Sequence, residues 1–166
     1  GVLIALNQTT ARVGTGAVVS ALGDITVDAQ GKTWMFVLAA ALSAASSNAV
    51  GATLSVNVFS RTILAQIGQG ARLTSAGGNV LVQALGENWV LVLALAAAGA
   101  GSNELTGTIP VFVALDTVRS EVGMGATLSA YGSVGVISNL VNHTYVVAGG
   151  LAAAGSVLSG LAAAHP

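Results

Sequence analysis

Acid–base chemistry needs paired carboxylates, and Asp24 and Asp28 are the closest pair in this chain. Cleavage of a glycosidic bond wants two carboxyls roughly 5 to 9.5 Å apart. Four residues along a strand separate them by about 13 Å, and the corresponding positions further on hold Asn79 and Gln83, then Ser133 and Ile137. They read as solvated edges. His143 and His165 have no second ligand at metal-binding spacing. The absence of cysteine removes thiolate zinc sites and disulfides. Gly-x-Gly occurs at Gly14/Gly16, Gly68/Gly70 and Gly123/Gly125. A dinucleotide-binding turn would need a third glycine, a following helix and a downstream acid, and these are missing. Gly77-Gly78-Asn79 lacks the aspartate of calcium-binding nonapeptide repeats. Asn7-Gln8-Thr9 and Asn142-His143-Thr144 fit the glycosylation sequon and fit turn chemistry equally well. The expectation is a protein with no catalytic residues, no metal and no cofactor.

Composition narrows the class. Of 166 residues, 54% are hydrophobic and only 7% charged, against about 25% charged in ordinary soluble domains. A mean hydropathy of +0.82 supplies ample apolar surface for collapse and excludes a disordered chain. Five Lys and Arg against six Asp and Glu leave no basic stripe for nucleic acid. Gly1 to Leu6 is apolar but lacks the basic region and cleavage site of a secretory signal, so the chain reads as an excised or mature segment.

Ala11-Arg-Val-Gly-Thr-Gly-Ala17 returns as Ala65-Gln-Ile-Gly-Gln-Gly-Ala71 and again as Ser120-Glu-Val-Gly-Met-Gly-Ala126. Downstream, Ile25-Thr-Val27-Asp-Ala29 matches Val80-Leu-Val82-Gln-Ala84 and Val134-Gly-Val136-Ile-Ser138. Trp34 matches Trp89, and Ser47-Asn48 matches Ser102-Asn103. Residues 1–166 thus form one segment of three units, approximately 11–64, 65–119 and 120–166. The ends fall within repeats, and the expectation is a part of a longer chain or of a stack of like copies.

Short alternating apolar runs punctuated by Gly, Ser, Asn and Thr indicate strands rather than helices. No crossover helix fits in the glycine-rich half of the unit, which leaves parallel strands stacked repeat on repeat. The expected class is all-β, a parallel β-helix or solenoid in which each repeat makes about three coils. Nine coils spaced about 4.8 Å would give a rod about 43 Å long. The glycine pairs would form its corners, since glycine takes positive φ without steric cost. Val19, Ile25, Val27 and Ala29 would stack inside with Leu73, Val80, Val82 and Ala84, and with Leu128, Val134 and Val136.

The stretch Val56-Asn-Val58-Phe-Ser-Arg-Thr62-Ile-Leu-Ala65-Gln-Ile67-Gly68-Gln-Gly70-Ala71, continued by Leu73 to Ala84, resembles the β-strand repeats of large bacterial filamentous adhesins of the filamentous haemagglutinin-like and leukotoxin-type kinds. The resemblance covers essentially the whole chain as a pattern of Val, Gly, Ala and Asn. It implies a right-handed parallel β-helix in an extracellular or surface-exposed bacterial fibre, with no active site. It implies partners that are like copies, end to end and laterally, and a host or matrix ligand bound by other parts of the parent protein. Pro110 departs from the pattern where Ser55 stood, and proline, lacking a donor, should fall at a strand start or turn.

The other half of each unit is apolar on every face. No charge lies between Thr33 and Ser60, and Trp34-Met35-Phe36-Val37 is echoed by Trp89-Val90-Leu91-Val92. Tyr145 to Ala164 has the length of a membrane helix, and a membrane-embedded or membrane-inserting segment is the alternative function. Against a helix, the equivalent runs are broken by Ser43, Ser46, Ser47 and Asn48, and by Gly99, Gly101, Ser102 and Asn103. Strands buried on both faces account for such runs, with an outer layer or neighbour covering one side. Alternation divides Trp89, Leu91 and Leu93 from Val90, Val92 and Ala94 and leaves open which set faces in. Trp34, Trp89 and Tyr145 are expected in the core, where tryptophan is usually found. No threonine ladder exists for ice binding, since Thr26, Leu81 and Gly135 succeed one another.

Overall fold

The structure is a computed structural model and describes residues 1–101, 103–153, 156–158 and 161–164. It is all-β among these residues. The strands are β1 (Val2–Val13), β2 (Val18–Ala21), β3 (Ile25–Ala45), β4 (Asn48–Ile67), β5 (Arg72–Ser75), β6 (Val80–Ala100), β7 (Asn103–Val122), β8 (Thr127–Ala130), β9 (Val134–Ala153), β10 (Ser156–Leu158) and β11 (Leu161–Ala164). Two long sheets have the orders β1-β4-β7-β10 and β11-β9-β6-β3, and a short sheet has the order β2-β5-β8. All pairings are parallel except β11 on β9.

The register corrects the expected coil count. Ile25 pairs with Val80 and Val80 with Val134, so each residue's neighbour lies a whole repeat away. One repeat therefore makes one circuit through the three sheets rather than three coils. Three layers at about 4.8 Å span only about 15 Å, not 43 Å. The reason is strand length: β3 and β6 each run 21 residues without a turn, far beyond the usual 5–6. Their Ala and Gly clusters stay extended.

Within each circuit the cross-section tapers. At one end the short sheet holds the two long sheets apart, and the space is filled by Ile25, Val27, Ile63, Ile67, Leu73, Val80 and Val82. At the other end residues 46–47 alone join β3 to β4, and the interior narrows to Ala94, Ala96 and Ala98. A Cβ added to Gly51 would lie 2.7 Å from the Ala97 carbonyl oxygen. We refer to these as the wide half and the tapered half.

The paired glycines serve two different needs. Gly16, Gly70 and Gly125 have φ of +67°, +65° and +70°. Each sits third in a turn closed by a bond from the following alanine, Ala17 N to Gly14 O and Ala71 N to Gly68 O at 3.3 Å and Ala126 N to Gly123 O at 3.1 Å, the pattern of a type II turn. Gly68 instead allows close approach between circuits: a Cβ there would lie 2.5 Å from the Thr15 nitrogen.

Pro110 is also corrected. It lies inside β7, opposite Ser55, rather than at a strand start or turn. Asn103 N and Gly123 N both donate toward β4, so even-numbered residues of β7 point the other way. The missing proline N–H thus falls on the edge beyond β10, whose pairing ends at Leu105, where no ladder bond is lost.

Candidate functional site

Three features carry the chemistry: an outward aromatic ladder, two outward apolar faces, and a polar seam inside. Strand alternation sets all three. In β6, Val90, Val92 and Ala94 are buried while Trp89, Leu91 and Leu93 point out. In β3, Met35 and Val37 face in, whereas Trp34 is 70% exposed and Phe36 61% exposed.

The tryptophans were expected in the core and are found outside it. Trp34 stacks on Trp89 with centroids 5.3 Å apart and planes 7° apart, and Trp89 stacks on His143 at 3.9 Å. The third member of the ladder is thus His143. Tyr145 is in register with Leu91 instead. Exposure is tolerable because each ring covers its neighbour and the indole of Trp89 has a partner, donating from Nε1 to Glu87 Oε1 at 2.6 Å. Lys32 Nζ lies 3.0 Å from Glu87 Oε2 and 5.6 Å from the Trp34 ring centroid. The Trp89 bond, then Lys32, hold the Glu87 carboxyl below its ordinary value. On β3 and β6 the ladder marks where charge ends.

Sequence reasoning missed the interior seam. Arg61 is 1% exposed and faces inward from β4. Its Nε lies 3.5 Å from Asp116 Oδ1, and its Nη1 donates to the carbonyls of Gly31 at 3.0 Å and Glu87 at 3.1 Å. Asn88 Nδ2 donates to Asp116 Oδ2 at 2.6 Å and Asn142 Oδ1 at 2.7 Å. Burial pushes the Arg61 guanidinium down from its ordinary value, and Asp116 pulls it back up. Gly86 makes room for it, since a Cβ there would lie 2.8 Å from Nη2. A signal for the seam was present: Asn7, Arg61 and Asp116 share one ladder position and Thr33, Asn88 and Asn142 another. Arg61 also keeps the same parity as Ile63 and Ile67.

Of the expected core, Ile25, Val27, Ala29, Leu73, Val80, Val82 and Ala84 are buried, and Val19 and Leu128 pack against them partly buried. Val134 and Val136 share their ladder but are each 48% exposed on the last circuit. Asp24 accepts bonds from Asn79 N at 2.7 Å and Asn79 Nδ2 at 3.1 Å, and Asn79 Oδ1 accepts from Ser133 N and Oγ at 2.9 Å, a polar ladder at one corner. Asp28 accepts from Gln30. Both sequons lie within strands, in β1 and β9, rather than in turns. His165 lies outside the described residues. Among those described, no three His, Cys, Asp or Glu side chains gather as for a metal, and no helix is long and apolar enough to cross a membrane. No protein-family model, curated protein or solved structure matches the chain.

Proposed function

We propose that the chain is a structural, non-catalytic segment of an extracellular filamentous adhesin or bacterial surface fibre, a stiff right-handed parallel β-helix that associates with like copies. One observation carries the reading: three repeats pair in parallel register, so each copy is already the partner of another. Right-handedness follows from the general rule for crossovers between parallel strands. The adhesin assignment rests on the residue pattern of the repeats alone.

The ladders specify what a further copy would meet. Arg12, Gln66 and Glu121 follow one another, and Gln66 Nε2 donates to Glu121 Oε2 at 3.2 Å. A copy stacked in the same register brings its Arg12 to Glu121, its Asn7 to Asp116 and its Trp34 to His143. It takes the place that β11 holds against β9. Sedimentation velocity across a concentration series, with electron microscopy of the products, should show end-to-end rods. Arg12→Glu should shorten them, and adding Glu121→Arg should restore them. A monomer of 16.1 kDa at every concentration would overturn the reading.

A further inference from the structure

We infer that the tapered half is a lipid-inserting edge, whose two outer faces are made to lie in the hydrocarbon of a bilayer. The observation is an inverted distribution of side chains. Outward positions carry Trp34, Phe36, Leu38 and Leu42 on β3 and Leu91 and Leu93 on β6. The opposite sheet shows the same, with Leu54, Ile109 and Val113 outward. Inward positions of the same half hold Met35, Val37, Val90 and Val92 next to the boundary but shrink toward the tip to Ser43, Ser55 and Ala96, smaller than the groups that face out at the same level. A segment in water is sorted the other way. A strand whose bulkiest apolar groups face outward matches the lipid-facing pattern of membrane strands.

Charge and length agree. Every charged side chain that the structure describes lies in the wide half or at its border with the tapered half, and Glu104, beside the tip, lies outside the described side chains. Trp34, Trp89 and Tyr145 stand at or next to the boundary, where amphipathic rings anchor at headgroup level. From Trp34 to Ala44 is ten steps, about 33 Å, against a hydrocarbon core of about 30 Å. Beyond it the tip is polar, with Ser46, Ser47 and an Asn103-to-Asn48 side-chain bond of 3.0 Å.

A second copy is the competing occupant. Three strands over that length offer only about 500 Å² per face, at best the low end of stable interfaces. A copy on one face also leaves the other bare, whereas lipid covers both. The inference rests on the stacking reading, because strand edges in hydrocarbon must be paired.

Trp34 and Trp89 are the only tryptophans, both at the boundary. The full chain, refolded by dilution with and without phosphatidylcholine vesicles, should float with the vesicles. Its fluorescence should shift to the blue and be quenched more by lipids brominated near the headgroup than near the chain end. Leu38→Lys and Leu93→Lys should each lower partitioning at least about thirtyfold, with the β spectrum retained, whereas Gln30→Lys and Gln83→Lys should not. Absence of flotation and quenching overturns the inference, as does partitioning unchanged by the lysines. Lateral assemblies that form in buffer, ignore vesicles and are dispersed by the same lysines assign the faces to a second copy and overturn it too. If a lysine variant does not fold, the depth of wild-type quenching still decides. Rods that form in buffer but ignore vesicles remove only the lipid reading; a chain monomeric in buffer and on vesicles removes the stack.

Discussion

Each circuit runs the same two strands through both halves of the cross-section, yet the halves obey opposite rules. In the wide half large aliphatic groups such as Ile63 and Leu73 fill the inside, and Asp28, Lys32 and Glu121 stand outside. In the tapered half Ala96 and Gly51 line the inside and Phe36 and Leu38 stand outside. Alternation fixes which residues share a face, but the space between the sheets and the medium beyond them decide which face is which. The wide half is a core held by volume; the tapered half is two sheets that converge until, near the tip, only small residues fit.

The largest effect expected from this contrast is in the wide half. Val82 is fully buried in the stack between Val27 and Val136, and Val82→Asp places a carboxylate there with no partner, a penalty of several kcal/mol that should prevent folding. Gln83→Asp, one residue on and facing out, should leave the chemical denaturation midpoint nearly unchanged. Equal damage from both would refute the alternation.

Next comes the seam that lies between the halves. Asp116→Ala strands the buried Arg61 guanidinium and should cost about 3–5 kcal/mol in denaturant unfolding. Arg61→Met combined with Asp116→Val removes both charges and should recover much of that loss. The double variant should still show the 54- and 55-residue pairing of the wild type by cross-linking at matched ladder positions. Slipped register would instead assign the seam the task of choosing which residues pair, the best attested use of buried polar groups.

The halves should then break in opposite directions. Ile63→Ala, in the wide half, removes volume and should cost about 2–5 kcal/mol. Gly51→Val, in the tapered half, adds volume against the Ala97 carbonyl and should cost about 1–3 kcal/mol. Ala52→Val, exposed beside it, should be tolerated. Thermal unfolding of the three variants measures the contrast.

The same contrast explains what was legible in the sequence. The repeat and the period-two alternation lie along the chain, so the all-β class, the parallel partners and the buried set around Val80 and Val82 could be read directly. The number of coils could not, because the Gly, Ser, Asn and Thr scattered through each unit suggest more turns than there are, and a 21-residue strand shows itself only when a parallel neighbour pairs it along its length. The Trp34 side chain misled for a physical reason: tryptophan's general preference for burial is outweighed by a ladder in which each ring covers one face of the next. The seam needs a second coordinate, since Arg61 meets Asp116 along the stack but meets Gly31 and Glu87 only across the taper.

The smallest effect belongs to the boundary itself. Glu87 accepts a bond from Trp89 Nε1 and pairs with Lys32, and these two interactions, in that order, depress its folded-state pKa. A carboxylate depressed on folding binds fewer protons folded than unfolded at intermediate pH, so its contribution is complete above its unfolded pKa and disappears as pH falls through the folded value. Wild-type stability should therefore exceed that of Glu87→Gln by a constant, small margin at neutral pH. The margin should narrow only on the acid side of the ordinary carboxylate range. Unfolding of both proteins across that range, followed by tryptophan fluorescence, provides the comparison, and it reports locally because Trp89 is the bonded group. A margin that widened toward low pH would mean that Glu87 is stabilised in its protonated form, and the boundary would then lie within the apolar half rather than at its rim.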